Sequence, residues 1–318
     1  MIKTKIKITG LLIICLAYMG LAQNNDVVQP AFTALKEYPK VRDFTLSNSG
    51  KEAYFSIQSL DGTISVISKI IMENDTWSSP IKAIFSGQHH DIEPFLSPDN
   101  LRLYFASSRP KNNQDHKAED YDIWYVQRSG LNQPWSEPVN MGTAVNSDQN
   151  EFYPSVAHNK NLYFTSDRSG SKGKDDIFYS RWDGKVYETP VSLGATINSE
   201  GYEFNAYISP SESFLIFSGY NRKDGLGSAD LYISHKGSDK NWREAINFGS
   251  VINSDKMDYC PFVDVKNKTL YFTSQRSAVN AQKALENGDE FLIELNKYEN
   301  GMSRIYKIGL ETIFHINE

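Results

Sequence analysis

Short apolar runs of four to seven residues, rich in Tyr, Phe, Ile and Val and bounded by Asn, Asp, Gly, Ser and Pro, recur along the chain. That pattern predicts β-strands joined by tight turns. The runs are copies of one another. Glu52-Ala53-Tyr54-Phe55-Ser56, Leu103-Tyr104-Phe105-Ala106-Ser107, Leu162-Tyr163-Phe164-Thr165-Ser166, Leu215-Ile216-Phe217-Ser218 and Leu270-Tyr271-Phe272-Thr273-Ser274 are versions of one element, with their Phe residues 50, 59, 53 and 55 positions apart. Ahead of four of them an acid stands three residues before Pro or its substitute: Asp91 before Pro94, Glu151 before Pro154, Glu203 before Ala206 and Asp258 before Pro261. The first unit has Val41 and Phe44 there, with Asp43 offset by two residues. A polar, Gly-rich loop and a third run follow: Asp122-Ile123-Trp124-Tyr125, Asp176-Ile177-Phe178-Tyr179, Asp230-Leu231-Tyr232-Ile233 and, in the last unit, Glu290-Phe291-Leu292-Ile293. A fourth element reads Trp77 to Pro80, Trp135 to Pro138, Tyr187 to Pro190 and Trp242 to Ala245.

A period near 54 residues with four strands per unit makes each unit one antiparallel sheet, and one sheet alone cannot bury both faces. Aromatic pairs at the same place in every unit favour packing around an axis. The expectation is an all-β fold: a single five-bladed β-propeller of four-stranded blades over residues 41–318, with no long helix and with six blades as the alternative count. Residues 23–40 form either a leader or the ring-closing strand, Val27 to Leu35 being the candidate for the outer strand of the last blade.

Ser97-Pro98-Asp99 before Leu103-Tyr104-Phe105, the Ser166-Asp167-Arg168 turn, and the endings Val145-Asn146-Ser147, Ile197-Asn198-Ser199 and Ile252-Asn253-Ser254 resemble the WD-repeat-like β-propeller repeats of TolB-type exported proteins. The resemblance covers residues 41–318. It implies a binding scaffold of the bacterial envelope whose partner is a protein or a polysaccharide.

Residues 1–22 read as a cleavable secretory signal: Lys3, Lys5 and Lys7 precede an uncharged apolar run from Ile8 to Ala22, which is shorter than a membrane span. Cys15 follows Ile14, where lipidation would ask for a small residue, and the apolar run continues past it. The expected location is therefore the periplasm or the exterior, without a lipid anchor or a membrane span. Cleavage leaves 30 basic side chains against 39 acidic ones and a single cysteine, Cys260. An internal disulfide and a cysteine-based zinc site are thereby excluded. The acidic balance also argues against nucleic acid as a partner. No cofactor is implied, and a monomer is expected.

In a propeller of this strand order, the loop entering the innermost strand and the loop between the second and third strands open on one face. Asp91, Glu151, Glu203 and Asp258, with Glu93 beside the first, would then line one mouth of the central channel, a negative funnel for a cation, an amine or a basic segment. Alternatively each carboxylate accepts backbone N–H bonds in its own turn. Arg109, Arg168 and Arg276 follow the second strand and could pair with carboxylates across blades or receive an anion. His89 and His90 are adjacent in an extended segment and point apart, so no metal is expected. Asp122, Asp176 and Asp230 should cap turns. Partner capture is expected in the loops Pro110 to Tyr121 and Ser277 to Gly288. The competing reading is a glycosidase or lyase using two of the mouth carboxylates. Against it, four equivalent acids lack the unlike environments that acid–base catalysis requires, and no catalytic residue is assigned.

Overall fold

Each copy of the aromatic element folds as the second strand of an antiparallel sheet: Glu52–Gln58, Arg102–Ser107, Leu162–Ser166, Phe214–Tyr220 and Thr269–Ser274. They come from a computed structural model describing residues 27–111, 119–286 and 288–311; the expected signal over 1–22 and the middle of the Pro110 to Tyr121 loop lie outside that range. The acid-led segments form the inner strands Lys40–Leu46, Asp91–Leu96, Glu151–Val156, Tyr202–Ile208 and Asp258–Asp264. Each inner strand touches the next and the fifth touches the first, which closes a five-bladed β-propeller.

The third strands are Ser65–Glu73, Asp122–Gln127, Asp176–Ser180, Asp230–His235 and Arg304–Gly309. Blade 5 therefore departs from the expected assignment. Glu290–Ile293 belongs to a helix, Gly288–Leu295, that follows a shorter one, Ala281–Glu286. A four-residue apolar run reads equally as strand or helix, and Asp289 and Glu290 in the first turn suit the positive end of a helix.

The outer strands also lie slightly beyond the expected Trp-to-Pro segments. They are two-residue ladders at Ile81–Lys82, Val139–Asn140, Val191–Ser192 and Ile246–Asn247, each beginning just after the predicted element. Before them the chain makes other short pairings, Thr76–Trp77 with the third strand in blade 1 and single bridges at Tyr187 and Trp242 in blades 3 and 4. In blade 5 the outer strand is Gln29–Pro30, which pairs with Lys307 and Tyr306 and joins the two ends of the chain in one sheet. Phe32 extends this closure by packing its ring 6.3 Å from that of Tyr271 in blade 5 and 5.2 Å from that of Phe44 in blade 1.

Phe55, Phe105, Phe164, Phe217 and Phe272 have no solvent exposure. Each such ring contributes about 1.5–3 kcal/mol of burial free energy, which is why the aromatic copy recurs at every second strand. Blades also approach through backbone. The amides of Glu151, Glu203 and Asp258 donate to the carbonyls of Tyr121, Asp175 and Ala229 in the preceding blade, at 2.7–2.9 Å. A side chain at Gly173 would collide with the Gly201 carbonyl at 2.0 Å, so glycine is required there for two blades to meet.

Candidate functional site

Every inner strand carries a register shift: between Arg42 and Thr45, Ile92 and Phe95, Phe152 and Ser155, Phe204 and Tyr207, and Tyr259 and Phe262. Inside each shift one residue has positive φ: Asp43 (65°), Glu93 (60°), Tyr153 (46°), Asn205 (52°) and Cys260 (53°). Glycine is the usual occupant of such a bulge, and for other residues the left-handed region costs on the order of 1–3 kcal/mol. Asp43 is thus the structural equivalent of Glu93, and Val41 that of Asp91.

The five bulges bring side chains from all blades into one buried network. Arg42 donates from Nε to Asp43 Oδ1 at 2.5 Å and from Nη2 to Glu93 Oε1 at 2.8 Å. Asn205 donates to the same Glu93 oxygen at 3.1 Å, and Cys260 Sγ lies 2.8 Å from Asp43 Oδ1. Tyr153 crosses from blade 3 to blade 5, donating its hydroxyl to the Pro261 carbonyl at 2.9 Å. The axis is therefore filled.

The network completes the contacts between blades. The bulge amides of Asp43, Glu93 and Asn205 donate to Thr273, Ser56 and Thr165 hydroxyls of the preceding blade. Blade 2 has Ala106 at that place, and Glu93 Oε2 takes the Tyr153 amide instead, at 2.7 Å. Burial is the main cause that pushes the Glu93 carboxyl up to about 7; Arg42 opposes the shift and Asp43 adds to it.

Asp91, Glu151, Glu203 and Asp258 sit at equivalent places of blades 2 to 5, their side chains wholly buried. The pairing arginines act within a blade, which corrects the expected pairing across blades: Arg109 meets Asp91 at 2.6 Å, Arg168 meets Glu151 at 2.7 Å and Arg276 meets Asp258 at 2.9 Å. Arg222 meets Glu203 at 2.9 Å and is a fourth member that the sequence reading missed. It stands five residues after Phe217, where the others stand four after their Phe. Each guanidinium also lies over two rings of its own blade, as Arg168 does over Phe164 and Phe178 at 4.9 and 5.3 Å. The carboxylates take turn bonds as well: the Ser147, Ser199 and Ser254 amides donate to Glu151, Glu203 and Asp258 at 2.6–2.9 Å. Among the predicted residues, only Glu93 joins the axial network.

Asp176 and Asp230 cap their turns through the amides of Lys172 and Gly173, and of Leu226 and Gly227. His90 binds the Gly62 carbonyl through one ring nitrogen and the Tyr121 hydroxyl through the other.

A pocket of about 220 Å³ opens over the network, lined by Arg42, Glu93 and Asn205 together with Phe152, Phe204, Tyr259 and Asp175. Asp175 is pushed up to about 6, first by burial and then by the neighbouring charge of Asp167. The loop that carries the pair of helices in blade 5 departs at this end of the propeller, because Ser274, from which it leaves, pairs with Asp258 at the start of the inner strand. The helices expose Leu285 (84%), Phe291 (44%), Leu292 (57%), Ile293 (57%) and Leu295 (49%). Among the described residues no helix is long and apolar enough to cross a membrane.

No family model and no curated protein matches this sequence. Solved structures similar to it include a putative TolB from Agrobacterium tumefaciens (14% identity, 74% of this chain and 70% of that one, TM-score 0.49). Others are the α-L-arabinofuranosidase PaAbf62A from Podospora anserina in complex with cellotriose (10%, 86% and 91%, 0.51) and BT0996 in its RGII complex (10%, 85% and 86%, 0.53). At 10% identity, the likeness to the last two shows the fold alone.

Proposed function

We propose that this is an exported, non-catalytic scaffold that binds a protein partner in the cell envelope at the end carrying the axial pocket and the blade 5 helices. The observation that supports it is the set of exposed side chains Phe291, Leu292, Ile293 and Leu295 on the helix at the same end of the blades as that pocket. Large apolar side chains grouped on a surface mark interaction sites. The carboxylates nearby favour the same reading. Four are neutralised within their own blades, and Asp43 is buried beneath Arg42, so none of these five is placed to activate water on a substrate.

The glycosidase reading keeps one supporting observation, the Glu93 carboxyl that titrates near neutrality beside a pocket with three aromatic rings. Screening the purified protein against a panel of polysaccharides separates the two. The scaffold reading expects no turnover of any of them, in the native protein and in Glu93→Gln alike. Turnover that Glu93→Gln abolishes overturns it.

A further inference from the structure

At the opposite end of the inner strands lies a larger well, of about 570 Å³. Phe95, Tyr207 and Phe262, each two residues past its bulge, come from blades 2, 4 and 5 and pack with ring centroids 6.4 Å (Phe95–Tyr207) and 5.6 Å (Tyr207–Phe262) apart. Leu46, Val156 and Phe214 add to its apolar lining. Blades 1 and 3 have Thr45 and Ser155 where the three rings stand, and both hydroxyls accept from the amides of Leu96 and Ile208.

Most polar groups of the inner lining are engaged in turns, while His158 and Lys266 stand exposed at the rim. Ser97 donates to Asp99, Ser209 shares a hydrogen with Ser213, Asn48 donates to the Pro98 carbonyl, and Asp264 accepts from Asn267 at both oxygens. Tyr207 donates its hydroxyl to the Val263 carbonyl. The inner wall thus offers aromatic faces and little remaining hydrogen-bonding capacity. Its volume suits one small molecule, and pockets of about 300–1,000 Å³ with an apolar lining are the usual form of ligand sites.

We propose that this well is a second binding site, separate from the partner-binding end, and that it takes a small uncharged ligand with a flat apolar ring system. Recognition rests on shape and ring contact, since the wall has few donors or acceptors left to offer. The filled axis isolates it from the other mouth.

The test is fluorescence titration of the full mature protein with the neutral probe N-phenyl-1-naphthylamine. The inference expects saturable one-site binding, a rise in Tm that saturates with the probe, and affinity about tenfold or more weaker in Phe95→Ala, the size of effect seen when a central contact is truncated. Val265 lines the rim and is half exposed, so Val265→Glu places a charge there without disturbing the core and should weaken the probe similarly. Phe204→Ala, in the other mouth, should leave affinity unchanged. Non-saturable binding, full affinity in Val265→Glu, or loss of affinity in Phe204→Ala overturns the proposal.

Discussion

Arg109 shows how a single residue holds a blade together. It pairs with the fully buried Asp91 carboxylate, donates to Ser107 and to the Phe85 carbonyl, and lies over Phe105 and Trp124. Removing one partner of a buried pair strands the other charge, so Arg109→Ala should lower unfolding free energy by about 3–5 kcal/mol in urea denaturation, and adding Asp91→Asn should restore part of it. An unchanged midpoint would show the pair to be energetically idle. Glu93 makes a prediction of opposite character. Its carboxyl is raised to about 7 in the folded state against about 4.5 in an unfolded chain, so between those values the native state binds more protons. Stability must then fall as pH rises from about 4.5 through 7, and level off above. Asp122 and Asp175, raised to about 6, add to the same fall. Glu93→Gln should flatten the decline in Tm over that window; an identical decline in the variant would contradict the assignment. The acid–arginine pairs were half legible in sequence because they repeat. The bulge was not, because Asp43, Glu93, Tyr153, Asn205 and Cys260 share a backbone conformation and no side-chain chemistry.

Among the elements, the second strands were the most legible, since each buries the same Phe at the same place between blades. The third strand of blade 5 was the least. Its long loop carries an apolar run that helix geometry claims, while Arg304–Gly309 lies beyond the spacing set by the other blades. Ring closure was visible only as an apolar segment containing Pro30, because a two-residue ladder leaves almost no periodicity to read. That ladder is reinforced by Phe32, whose ring lies between those of blade 5 and blade 1 and 5.7 Å from Trp77. Phe32→Ala should cost about 3 kcal/mol despite standing outside the repeat, as large-to-small changes of buried rings do. A loss under about 0.5 kcal/mol, the level of an ordinary surface change, would mean that the N-terminal segment does not fasten the ring.

For the whole molecule, the propeller places two unlike mouths at the ends of a blocked axis: one with polar groups at its base and Phe152, Phe204 and Tyr259 around them, at the end that carries the blade 5 helices, the other a well with an apolar inner wall. The loops of the first mouth were legible in the sequence but its chemistry was not, because the residues that meet there are far apart in the chain and differ from blade to blade. The proposed function turns on whether the helix-bearing end engages a protein. Leu292 lies on that end, whereas Leu131, exposed at 59%, lies in the turn between the third and fourth strands of blade 2 and so at the other end. Site-specific photo-crosslinking from these two positions in the producing cell decides between them. A partner-binding end yields one discrete crosslinked protein from position 292, lost when Phe291→Asp is added, and none from position 131. Equal crosslinking from both positions, or none from 292 alongside polysaccharide turnover that needs Glu93, would refute a protein partner at this end.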